Sequence, residues 1–248
     1  PRKKAYSDGQ LELLRALAAF IGAALDNSRK HATIQELNDT ILKEKVELEE
    51  AYDRIAHLAN HDNLTELPNR RLLKELLAEH IPLARRQDRD FGLLYVDLDD
   101  FKPINDSYGH ASGDTVLVEI AARLRNTVRS SDTVARIGGD EFVLIVRDID
   151  GRKDLETIAG KVLESVTAPI TVGGEERTLG ASIGVSIYPR DGDTDEALLA
   201  AADSAMYYVK RHGKLGVHFV DRADPEPVTQ DGADTTENSS MSSSSNTN

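Results

Sequence analysis

The sequence predicts an α/β sandwich of the split βαβ kind carried on a long N-terminal helix. Three observations lead there: a proline-free helical stretch from Asp8 to about Asn60, alternating strand-like and helical runs after Asp62, and a tight hairpin at Gly138-Gly139. The 248 residues, 40% of them hydrophobic, suffice for one well-packed core plus appended segments, not for two complete large domains.

The helical stretch can start at Ser7 or Asp8, either of which offers an N-cap. Its most apolar part, Leu11 to Leu25, contains Glu12, Arg15 and Gly22 and is too short to span a membrane. Further along, Ile34, Ile41, Leu48 and Ile55 recur every seven residues, and Leu37, Ala51 and Leu58 hold the companion seam position that Glu44 interrupts. This predicts a parallel coiled coil of about four heptads and hence a homodimer, since β-branched first seam positions favour two strands. The alternative is a helix laying one apolar stripe on its own domain. Leu14 and Ile21 are also seven apart, but their series continues to Ser28 and Gln35, so the two halves are out of register, as at a signalling discontinuity.

The remaining elements follow in order. FGLLYVDL (Phe91 to Leu98) predicts a buried strand, VLVEIAARLRNTV (Val116 to Val128) a helix, and TVARIGGDEFVLIV (Thr133 to Val146) two strands around the Gly-Gly turn. Leu155 to Val166 reads as a helix, Arg177 to Tyr188 as a strand, Thr194 to His212 as a helix, and Val217 to Val220 as a last short strand. From 221 to 248 an acidic, Ser-rich tail has almost nothing to bury and is expected to be disordered.

Composition excludes several classes of chemistry. Without cysteine there is no disulfide, thiolate metal site or cysteine nucleophile, which suits a reducing cytoplasm. A net charge of -13 argues against a nucleic-acid binder, which needs a basic face to displace counterions from phosphates. The chain starts at Pro1 without an initiator methionine and reads as a fragment of a longer protein.

Two acidic clusters stand at strand ends. Asp97 and Asp99 close the apolar strand, where carboxylates can leave the sheet and gather a hard cation such as magnesium. Asp140 and Glu141 follow the glycine pair, where backbone can approach a phosphate and a carboxylate can serve as metal ligand or base. Each cluster alone also reads as solvated acid or plain turn; together they point to two-metal nucleotidyl transfer.

RIGGDEFVLI carries the signature of the GGDEF family, which the chain resembles from about Asp62 to Phe219. The signature follows DNLTELPNRR, DLDDFKPIND and YGHASGD, and precedes ASIGVSIYPRDG and ADSAMYYVK, in the family's order. The resemblance implies a ferredoxin-like, palm-type nucleotidyl cyclase domain over 61–220 that joins two GTP into cyclic di-GMP. It implies two magnesium ions, with manganese possible, held by Asp97, the Leu98 carbonyl, Asp140 and Glu141. Asp140 is then also the candidate base for the 3′-hydroxyl, and Lys102 contacts the triphosphate. Asn105 and Asp114 read the guanine edge, with His110 in the same loop; Asp114 alternatively reads as an N-cap. Lys210 resembles the phosphate-holding lysine, whereas Lys214 stands where the family usually has arginine, keeping the charge without the bidentate fork. Arg129 and Asp132 of RSSD match the spacing of the family's inhibitory site for cyclic di-GMP; the bare tetrapeptide alternatively reads as a surface ion pair. Upstream, LELLRALAAFIGAALDNSRKH resembles the last helix of a GAF-type sensor domain, giving the divisions 1–30 and 31–60 for sensor helix and coiled coil.

Overall fold

The computed structural model describes residues 7–221, so the expected disordered tail lies, apart from Asp221, outside the described residues. The chain divides after Ala59 into two units. The first holds all but the last residue of helix α1 (Asp8–Asn60), whose 53 residues run without interruption and bury nothing. Its seam residues Ile34, Leu37, Ile41, Leu48, Ile55 and Leu58 are between 52% and 70% exposed.

The second unit contains α2 (Arg70–Gln87), β1 (Phe91–Asp99), α3 (Phe101–Tyr108), α4 (His110–Thr127), β2 (Thr133–Gly138), β3 (Glu141–Val146), α5 (Arg152–Thr167), β4 (Ile170–Val172), β5 (Glu175–Arg177), β6 (Gly180–Tyr188), α6 (Asp195–Arg211) and β7 (Gly216–Phe219). The main sheet runs β2-β3-β1-β6-β7. All neighbours are antiparallel except β6 and β7. Strands β1, β2, β3 and β6 with their connecting helices make the ferredoxin-like βαββαβ arrangement, and β7 extends it.

The pleat of β1 sorts the core. Leu94, Val96 and Leu98 enter a cluster with Val116, Ile120 and Leu124 of α4 and Leu155, Ala159 and Val162 of α5. Phe91, Leu93 and Tyr95 point the other way, to Leu73, Leu77 and Ile81 of α2 and Leu198, Ala202 and Met206 of α6. A central strand covered on both faces reads as a continuous apolar run, which is why β1 stands out in the sequence.

Four local expectations are corrected. Helix α2, capped by Asn69 through bonds from the Arg71 and Leu72 amides, is absent from the sequence-based outline, as is α3. The strand expected from Arg177 starts at Gly180, because Arg177 belongs to β5 in a separate two-stranded hairpin with β4. Asp114 is not an N-cap: α4 begins four residues earlier, at His110 after Gly109.

Candidate active site

The strand register assembles the acidic centre. Asp97 on β1 lies directly opposite Glu141 on β3, so both side chains project from the same face. Asp140 occupies the turn between β2 and β3, and its carbonyl accepts the Leu98 amide at 3.3 Å. Asp97 is only 5% exposed, and its Oδ2 lies 2.7 Å from the Lys210 ammonium at the end of α6. Burial pushes the Asp97 pKa up to about 6; the Lys210 hydrogen bond offsets part of this, and the negative charges of Asp140 and Glu141 add to it. Burial also raises Glu141, and the nearby Tyr95 hydroxyl acts against that rise.

Asp99, two residues on, has a different task. Its Oδ1 accepts from the Ser182 hydroxyl at 2.7 Å and its Oδ2 from the Leu215 amide at 2.9 Å. Both oxygens are thus engaged by protein, and only Asp97 of this pair stays with the reactive centre. Among the described residues, no three His, Cys, Asp or Glu side chains close on one point. The donor set nevertheless fits magnesium, which takes one or two carboxylates and completes its octahedron with backbone, water and substrate phosphate oxygens. A buried carboxylate facing half-buried ones of like charge is also the arrangement that a divalent cation relieves.

The remaining predicted residues fall into three groups. Lys102 and half-buried Asn105 lie on α3, and exposed His110 and Asp114 on α4. The Asn105 Oδ1 rests against Gly113, where a Cβ would come within 1.9 Å of it, so a side chain at 113 would displace this amide. Lys214, beyond α6, donates to Asp100 at 2.7 Å. Arg129 and Asp132 stand apart, in the loop between α4 and β2. The Asp132 carboxylate accepts the Arg129 and Arg147 amides, each at 3.0 Å, as a turn residue does. Beside them a cavity of about 600 Å³ is lined by Leu67, Pro68, Arg125, Val128, Arg129 and Asp132.

Sequence reasoning missed two supports of the centre. Tyr95 could have been found from the period of two along β1, which puts it on the face of Asp97. Arg136 carries no such signal. Its Nη1 meets both oxygens of Asp62, at 2.8 and 3.0 Å. Its Nε and Nη2 reach the Gly139 carbonyl at 3.0 and 2.7 Å. Gly139 has φ of 47°, so a glycine turn and a half-buried arginine together aim Asp140. No described helix is long and apolar enough to cross a membrane.

Residues 59–215 match the family described as "Diguanylate cyclase, GGDEF domain". The bifunctional diguanylate cyclase/cyclic di-GMP phosphodiesterase MucR of Pseudomonas aeruginosa is 45% identical over 172 residues, covering 69% of this chain and 25% of that protein. Diguanylate cyclase TpbB of the same organism is 38% identical over 196 residues, covering 79% and 45%. The structure of its GGDEF domain alone has a TM-score of 0.65 at 41% identity, covering 66% of this chain and 96% of that one. The GGDEF domain of DgcB from Caulobacter crescentus, solved with c-di-GMP, has a TM-score of 0.61 at 26% identity, covering 66% and 94%. The chain spans less than half the length of these two curated relatives. With more than half of its residues matched to the family and its sheet shared with solved members, the chain belongs to the GGDEF domain family.

Proposed function

We propose that the chain condenses two GTP molecules into cyclic di-GMP and two pyrophosphates. The observation that carries this reading is the buried Asp97 carboxylate, opposite Glu141, beside Asp140, and within 2.7 Å of the Lys210 ammonium. Such a centre is built for a polyanion accompanied by cations. The names of MucR and TpbB, and the cyclic di-GMP bound by DgcB, support the same activity.

Asp97, the Leu98 carbonyl, Asp140 and Glu141 would hold two magnesium ions, or manganese in their place. Bound there, these ions neutralise the triphosphate and acidify the attacking 3′-hydroxyl. Asp140 takes the hydroxyl proton. The 3′-oxygen forms a bond to the α-phosphorus of the other GTP as that phosphorus loses its bond to the bridging oxygen and pyrophosphate leaves. Lys102, Lys210 and Lys214 bind phosphate oxygens, and Lys210 leaves Asp97 to do so. Asn105 and Asp114 accept hydrogens from guanine N1 and N2, for which adenine has no equivalent, with His110 in the same loop. GTP as substrate puts this work in the cytoplasm.

The product is two-fold symmetric, so one domain with one GTP is half of an active site. A parallel dimer through Ile34, Ile41, Leu48 and Ile55 supplies the other half, and an upstream GAF-like sensor acts through that helix. Cyclic di-GMP returns to Arg129 and Asp132 as a feedback inhibitor, with the adjoining cavity available to its bases. Incubating the full chain with GTP and magnesium, followed by mass spectrometry, is expected to yield cyclic di-GMP and pyrophosphate. No such product with either metal, or undiminished product in excess chelator, rejects the reading.

A further inference from the structure

The small β4–β5 hairpin stands outside the main sheet and has no part in the reaction as described. Its strands are three residues each, a size marginal on its own. Ile170 and Val172 anchor it in the core that also holds Phe101 and Ile104 of α3. The other strand, Glu175–Arg177, is exposed along its length. Residues two apart on a strand share a face, and Glu175 and Arg177 both turn to Tyr108, the last residue of α3. The Tyr108 hydroxyl donates to Glu175 Oε2 at 2.9 Å and accepts from Arg177 Nε at 2.9 Å. Arg177 also pairs with Glu175, and its guanidinium lies 5.6 Å from the centroid of the Tyr108 ring. The ring packs so closely on Gly173 that a Cβ there would come within 2.8 Å of Cδ1.

Asn105 sits on the same helix as Tyr108, one turn earlier, and the Gly109 amide caps its carbonyl at 2.9 Å. Only Phe101 and Ile104 of α3 are buried, both in its first half. The second half, which carries Asn105, is therefore held by the Tyr108 contacts and by Gly113. We propose that Glu175 and Arg177 clamp Tyr108 and thereby fix Asn105 against the guanine edge, making the hairpin a determinant of base selectivity. This rests on the reading of Asn105 as a guanine contact. Tyr108, Glu175 and Arg177 are positioning residues that touch no substrate. A flexible α3 end would still admit a nucleotide but would aim the Asn105 amide less sharply, so selectivity falls before catalysis does.

The test uses the full chain with magnesium and calorimetric titration of 3′-deoxy-GTP and 3′-deoxy-ITP, which cannot cyclise; the latter lacks the 2-amino group. Tyr108→Phe and Arg177→Ala are each expected to weaken 3′-deoxy-GTP binding about threefold to tenfold, the size of one or two net hydrogen bonds. Binding of 3′-deoxy-ITP should change less, so the preference narrows, with melting temperature unchanged and Arg177→Lys restoring part of it. Asn105→Ala separates the two ideas. If it abolishes the preference while the clamp variants keep the wild-type preference, the clamp is overturned and guanine reading stands. If Asn105→Ala leaves the preference intact, guanine reading by Asn105 falls and the clamp proposal with it.

Discussion

Helix α1 and the sheet domain dispose of their apolar residues in opposite ways. The domain closes its core completely: Leu94, Val96, Phe142, Leu144, Ile183 and Val185 are each fully buried. The helix buries none of its 53 residues and displays a leucine and isoleucine seam instead. A domain that closes its own core can hold its acidic cluster in place without a partner. An exposed heptad stripe is stabilised only by a partner, since helical stability in water comes mainly from covering such a face. On the proposed function, chemistry and its dependence on concentration fall to different parts of the chain, and each assignment can be broken separately.

The largest expected effect lies in the domain. Asp97→Asn should lower cyclic di-GMP formation by about a thousandfold or more, the scale of lost cation and transition-state charge stabilisation. Light scattering should give an unchanged mass. Appreciable turnover in this variant would remove Asp97 from the reaction.

Next comes the helix. Replacing Ile41 and Leu48 together with lysine should lower specific activity at dilute protein by about tenfold to a hundredfold, recovering at high concentration, because dimerisation no longer supplies the second half-site. The melting transition of the domain should stay where it was. A monomeric variant with full activity at every dilution would dissolve the division of labour drawn above.

A smaller effect is expected at the cavity beside Arg129. Arg129→Ala should raise the cyclic di-GMP concentration needed for half-inhibition by about tenfold, as loss of one charged hydrogen-bonding group would. The initial rate should be unchanged. Equal inhibition in wild type and variant would leave this segment with its turn role alone.

The smallest effect is thermodynamic. Asp97 is raised from 3.8 to about 6 in the folded domain, so between those values the native state binds more protons than the unfolded chain. Its contribution to stability is therefore lost as pH rises from about 4 to about 6 and stays lost above. In chelator, Asp97→Asn should gain melting temperature relative to wild type across that window by a few degrees and then hold level. Magnesium should shrink the gain by stabilising wild type. Parallel profiles at all pH values would show that burial of this carboxylate carries no strain.

Much of this division was legible in the residues. The apolar runs of β1, β3 and β6 mark strands covered on both faces, and the heptads of α1 mark a seam, because each pattern follows from local geometry alone. Legibility stopped where a residue's meaning depends on distant chain. Asp97 and Asp99 look equivalent in DLDD, yet Asp99 is claimed by Ser182 and Leu215, more than 80 residues away. Helix α2 has Leu73, Leu77 and Ile81 at helical spacing, but Pro82 and the basic residues around it mask the pattern. The short β4 and β5 strands offer too few residues for any period to register, so in the sequence Arg177 reads as part of its stronger neighbour β6. Of the candidate centre, Asp97, Asp140 and Glu141 could be named in advance and Tyr95 follows from the period of two along β1, whereas the Lys210 contact and Arg136 emerge only from the packing.

The position of β1 in the middle of the sheet also constrains how the protein is made. It is the first strand of the sheet to leave the ribosome, yet its two neighbours, β3 and β6, begin at residues 141 and 180. Asp99, at its end, must wait for Leu215 before both its oxygens are satisfied. Until then the nascent chain displays an apolar strand with bare edges beside a carboxylate that cannot be buried without cost, a state prone to association. Helix α1 makes only local contacts, so no later segment of its own chain is needed to complete it. A stall or premature stop before Leu215 would therefore leave a chain with its helix complete but its sheet unfinished and Asp99 half satisfied.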